Sequence, residues 1–150
     1  MGHGAGGKGK ATVVVVNAQR VLPVKTVSIA RLARHALRRL GICSVGTFAI
    51  TFIDSQRMRT LNRRFRRHDR LTDVLSFRYD GEPIVGEILI APAAAQGYAK
   101  RHRVPYLEEL SRYVIHGLLH WVGHDDRTRG EQRKMRLLED KLLASCESHG

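Results

Sequence analysis

Acidic residues are scarce in this chain: 14 Asp plus Glu stand against 26 Lys plus Arg, a formal net charge of +12 over 150 residues. A compact molecule so charged repels itself, and a polyanionic partner is the economical explanation. Most of the cations are arginine, whose planar fork suits phosphate better than the point charge of lysine. Cysteine is nearly absent. Cys43 and Cys146 stand far apart and in no CxxC pattern, which excludes a disulfide framework and points to a reducing cytoplasm. Long apolar runs are missing too. ATVVVV and EILIAPAAA break off well short of the roughly 18 residues of a membrane span. The opening MGHGAGGKGK lacks the apolar stretch of a secretion signal, the Arg/Ser-rich pattern of a transit peptide, and the Ser or Thr of a myristoylation site. Residues 1–10 read as a flexible tail, and the remainder, 11–150, as one domain.

What is present alternates between strand and helix signals. Ala11 to Val16 is a β-branched run suited to a strand buried on both faces, ended by Asn17. Ile29, Leu32, Ala33, Ala36, Leu37 and Leu40 then recur at helical spacing, with Arg31, Arg34, Arg38 and Arg39 between them and Gly41 as the stop. Val45 to Ile53 alternates as a second strand. Asp54 is placed to cap a helix that turns Met58, Leu61 and Phe65 inward. Arg57, Arg59, Arg63, Arg64, Arg66, Arg67 and Arg70 make this the densest basic stretch. With no compensating acids on the same face, it reads as a phosphate contact.

Thr72 to Arg78 and Ile84 to Ile90 read as strands joined by the short turn YDGEP, hence as antiparallel neighbours. Ala91 to His102 is an alanine-rich helix despite Gly97, and Pro105 opens a long one reaching Val122. In that long helix Leu107, Leu110, Val114, Leu118 and Trp121 form an apolar stripe, widened by Ile115, Leu119 and Val122. A helix apolar nearly all round lies inside the domain. Thr128 with Glu131 is a capping-box signature for a last helix carrying Met135, Leu138 and Leu142 inward.

The buried helix ends in HGLLHWVGHDD, His116 to Asp126. Side chains at i and i+4 share a helix face, so His116 and His120 can reach one ion. Gly123 can take a left-handed turn and send the chain back, which brings a third ligand within reach. Spacing favours Asp126; ligand type favours His124. Three protein ligands leave a fourth position for water, as in catalytic zinc sites. Zinc peptidases share the histidine spacing but place a glutamate directly after the first histidine. Here that position is Gly117, so a peptidase would lack its base.

HGLLHWVGHDD together with FRRHDRLTDVLSF (Phe65 to Phe77) and Gly86-Glu87-Ile88 resembles the YbeY family of bacterial metal-dependent endoribonucleases and ribosomal RNA maturation factors. The likeness runs from about Ala11 to Leu143. One departure is visible: the position of the family's third histidine is Asp126, and His124 stands where tyrosine is common. The resemblance implies an α/β (α+β), zincin-like single domain, with a mixed four-stranded sheet and about five helices around a buried metal-bearing helix. It also implies a Zn²⁺ ion on His116, His120 and Asp126, or His124 in its place, and Arg66 beside them as a catalytic group. Arg59, Arg63, Arg64, Arg66, Arg67 and Arg70 would hold RNA; Ser76 and Glu87 are weaker candidates for lining the cleft. The implied activity is single-strand-specific cleavage in maturation of the 3′ end of small-subunit ribosomal RNA and in ribosome quality control, with the small ribosomal subunit as partner. The alternative is a non-catalytic ribosome assembly factor with a structural metal.

Overall fold

The computed structural model describes residues 12–42, 46–65, 73–79 and 84–149. The expected tail at residues 1–10, Cys43, Arg66, Arg67, Arg70, Thr72 and most of the expected turn YDGEP lie outside them. In chain order the elements are β1 (Thr12–Asn17), α1 (Thr26–Arg39), β2 (Thr47–Phe52), α2 (Ser55–Phe65), β3 (Val74–Arg78), β4 (Ile84–Ile90), α3 (Pro92–His102), α4 (Tyr106–Trp121) and α5 (Arg129–His149). The strands form one mixed sheet in the order β1-β2-β4-β3. β1 and β4 each run parallel to β2, and β3 runs antiparallel to β4 with Ser76 opposite Ile88. This is the α/β single domain with a mixed four-stranded sheet and five helices that the family resemblance implies.

Successive strand residues point to opposite faces. Phe48, Ile50, Phe52, Ile88 and Ile90 therefore share one face, and all are buried against α1 and α4. Contacts are closest where side chains are smallest. A Cβ on Gly117 would lie 2.7 Å from Ile88 Cγ2 and 3.0 Å from Val74 Cγ1, and one on Gly86 would lie 2.5 Å from the Trp121 indole nitrogen. Helix α4 thus sits directly on β4 and β3. Trp121, edge-on to Phe48 at 5.0 Å, closes the core at its C-terminal end. The opposite face carries a smaller cluster, Ile53, Met58 and Ala91 with Leu61, Leu75 and Leu89, beneath α2.

β1 departs from the reading of its sequence. Val13 and Val15 pack on the core, but Val14 and Val16 are 43% and 45% exposed. It is an edge strand paired only with β2, and α2 covers the outer face only towards β3 and β4. Its β-branched run fits the pleat rather than burial on two faces. Leu107, assigned to the apolar stripe of α4, is likewise 38% exposed, in that helix's first turn.

The helix ends follow local chemistry. Asp54 accepts from the Arg57 amide at 2.8 Å and so caps α2. Thr128 and Glu131 exchange reciprocal 3.0 Å hydrogen bonds at the start of α5. α1 closes at Gly41, φ 75°, with Ile42 N–H on the Leu37 carbonyl and Gly41 N–H on that of Arg38. The same closure recurs where α4 ends.

Candidate metal centre

His116 and His120 stand one turn apart on α4, each side chain 29% exposed. Their Nε2 atoms face one another at 3.0 Å. Beyond them, Gly123 adopts φ 112°. Its amide donates to the His120 carbonyl and that of His124 to the Leu119 carbonyl, both at 3.0 Å. This left-handed closure reverses the chain. Asp126 is then held by its backbone: its amide donates to Asp125 Oδ1 at 2.8 Å, and the Gln132 side-chain amide donates to its carbonyl at 3.1 Å. Asp126 Oδ2 comes to 3.4 Å from His116 Nε2 and 3.5 Å from His120 Nε2.

The three atoms form a triangle with sides of 3.0, 3.4 and 3.5 Å. Tetrahedral ligands bound at 2.0–2.1 Å are separated by about 3.3 Å. Two nitrogens and a carboxylate oxygen so spaced can hold a metal ion. Among the described residues this is the group of three that meets the condition. His124 is outside it, and its amide takes part in closing the helix.

The surroundings prepare the histidines as ligands. Glu139, buried on α5, lies 2.6 Å from His116 Nδ1. A carboxylate there places the proton on Nδ1 and leaves Nε2 a lone pair. Arg112 holds the other Glu139 oxygen at 2.9 Å and Asp140 at 2.7 Å. Burial, and next the neighbouring His116, push His120 below the ordinary imidazole value, against the pull of Asp126 and Asp125. The neutral form so favoured is the one that binds a metal.

Ser76 donates to the Gly117 carbonyl at 2.9 Å and so ties β3 to α4. Glu87 projects from the sheet face opposite Ile88 and accepts from the Tyr79 hydroxyl at 3.0 Å. Arg59, Arg63 and Arg64 lie exposed on α2. Three contributors escaped the sequence reading: Glu139, Arg112 and Arg78. Arg78 stacks 4.4 Å over Trp121 and donates to its carbonyl, clamping the end of α4. Glu139 had a visible signal. It follows Met135 by four and precedes Leu142 by three, so it is an acid on the inward stripe of its helix.

Comparison with known proteins gives this arrangement a context. The model of the family described as endoribonuclease YbeY matches residues 15–147. The chain belongs to the YbeY family. Relatives named endoribonuclease YbeY include one from Thermodesulfovibrio yellowstonii, 38% identical over 105 residues and 66% of each chain. One from Chlamydia pneumoniae is 31% identical over 143 residues, 89% of this chain and 90% of the relative. One from Aquifex aeolicus is 33% identical over 126 residues, 81% and 83% of the two chains. The solution structure of TM1509 from Thermotoga maritima is similar in fold, with a TM-score of 0.58 at 21% identity over 92% of this chain and 93% of that one. The family match also bears on the peptidase reading that the histidine spacing invites. Gly117 faces Ile88 and Val74, so a glutamate at that position would meet the sheet.

Proposed function

We propose that this member of the YbeY family is a metal-dependent endoribonuclease that cleaves single-stranded ribosomal RNA in the cytoplasm, in maturation of the 3′ end of the small-subunit RNA and in ribosome quality control. The observation that carries the reading is the open triangle of His116, His120 and Asp126, with a buried carboxylate behind it, in a chain of net charge +12. A divalent ion on these ligands, Zn²⁺ by the nature of the donor set, supplies Lewis acidity that lowers the pKa of water and polarises a phosphoryl oxygen.

The chain's own residues do the rest. Glu139 keeps the His116 proton on Nδ1, and Arg112 keeps Glu139 in place. The closure at Gly123 and the Gln132 amide hold the Asp126 backbone. Arg66, the arginine that matches the family signature, stabilises charge developing on the phosphorus oxygens. Arg59, Arg63, Arg64, Arg67 and Arg70 grip the RNA backbone without reading sequence. The partner is the small ribosomal subunit, which supplies the RNA.

The test is cleavage of a small-subunit RNA fragment by the purified, metal-analysed protein. A chelator and His116→Ala are each expected to abolish cleavage, and Asp126→Ala to lose metal where His124→Ala retains it. Arg66→Ala is expected to lower the cleavage rate more than RNA binding. Cleavage that survives both the chelator and His116→Ala, with the fold intact, would sink the nuclease reading in favour of an assembly factor.

A further inference from the structure

Helix α5 carries a second basic surface that the family signature does not include. Arg129, Arg133 and Arg136 are exposed and, with Gln132, line one open surface of α5. Spacings of three, four and seven put the four on one side of the helix. That side adjoins the metal group: Gln132 donates to the Asp126 carbonyl, and Glu139, one turn beyond Arg136, contacts His116.

No acid of α5 pairs with the charge there. From Arg129 to Lys141 the acids are Glu131, Glu139 and Asp140. Each is engaged elsewhere, Glu131 in the cap and the other two on Arg112. Arg129, Arg133 and Arg136 make no ion pair with any described residue, although Arg136 acts on Glu109 at longer range. Arg129 also stands in the first turn of α5, where the helix dipole already disfavours a cation. A face of forked cations beside a metal group is complementary to a chain of phosphates.

We propose that Arg129, Arg133 and Arg136 form a phosphate track for the RNA strand, separate from the arginines of α2, which pack on the other side of the sheet. The proposal rests on the RNA reading above. In it, α5 holds the strand next to the metal group through its backbone, without regard to sequence.

The experiment measures binding of a short single-stranded RNA against salt concentration for the full chain. The triple variant Arg129→Gln, Arg133→Gln, Arg136→Gln is compared with Arg31→Gln, Arg38→Gln, Arg39→Gln, which removes equal charge from exposed positions of α1. Each lost phosphate contact lowers the slope of log K against log salt by about 0.7 for single strands. The α5 variant is expected to lose about 2 units of slope and the α1 variant close to none, with both melting as the parent does. Equal losses in the two variants, or an unchanged slope in the α5 variant, overturn the track. So does a loss confined to binding of poly-glutamate, which would assign the face to an acidic protein. A parent that binds RNA with this slope pattern but never cuts it removes the nuclease reading and leaves the track standing. Cleavage with no slope change does the reverse.

Discussion

Glu139 shows how one buried carboxylate shapes the site. It bridges His116 on α4 and Arg112 one turn earlier on the same helix, from a position on α5. Replacing Glu139 with Gln keeps the volume but weakens its hold on the His116 proton. Outer partners of this kind typically contribute 10–100-fold to metal affinity. Glu139→Gln should therefore bind zinc about 10–100-fold more weakly, as read by competition with a chromophoric chelator, while Asp140→Asn changes it little. Tyr113, on the same helix, is a separate case. Burial, then the charges of Asp73 and Glu109, push its hydroxyl from 10.0 up to about 12, against Arg101. A folded-state value above the unfolded one means that folding favours the protonated hydroxyl. Its contribution is fully present below pH 10 and is lost as pH rises through about 12. In denaturant titrations between pH 10 and 12, Tyr113→Phe is expected to fall in stability less steeply than the parent.

Helix α4 is the element on which both the core and the site depend, and its two sides do different work. One side, through Gly117, presses backbone against Ile88 and Val74; the adjoining side carries His116 and His120. A methyl group at 117 enters space held by Ile88 Cγ2 at 2.7 Å and Val74 Cγ1 at 3.0 Å. Overpacking of this kind costs about 1–3 kcal/mol. Gly117→Ala is expected to lower the urea midpoint accordingly, and to weaken metal binding by tilting the helix that carries both histidines. An unchanged midpoint would mean that β3 and β4 yield freely. The clamp at the far end, Arg78 over Trp121, acts on the same element.

At the scale of the whole molecule, the metal group joins α4 to the turn that leads into α5. His116 and His120 come from one element and Asp126 from the turn, and Glu139 follows on α5. An ion bound there crosslinks parts that the sheet does not hold together. A ligand that binds only the folded state at 100 times its dissociation constant stabilises it by about 2.7 kcal/mol. Removing metal with a chelator should therefore lower the melting temperature of the parent, whereas His116→Ala melts at one temperature with or without zinc. The net charge of +12 acts at this scale too. A charge of this size raises encounter rates with polyanions and makes such binding fall steeply with salt.

Local rules sufficed for much of this protein. Helical spacing marked α1, α4 and α5, the capping box at Thr128 and Glu131 marked where α5 begins, and the i, i+4 histidines followed by glycine pointed to the His-His-Asp group that could hold a metal ion. Each of these depends on residues a few positions apart, whose geometry the helix or turn dictates directly. Between Asp126 and His124, local chemistry alone left two candidates. In the fold Asp126 Oδ2 lies 3.4 Å from His116 Nε2 and 3.5 Å from His120 Nε2, while His124 stands outside the group of atoms that could hold one ion. The inward position of Glu139 is legible in its helical spacing, but its pairing with His116 and Arg112, like the half-exposed face of β1, belongs to the tertiary structure. Which helix packs across which, and which strand ends at an edge, is set by contacts between residues far apart in the chain, and no period in the sequence encodes them.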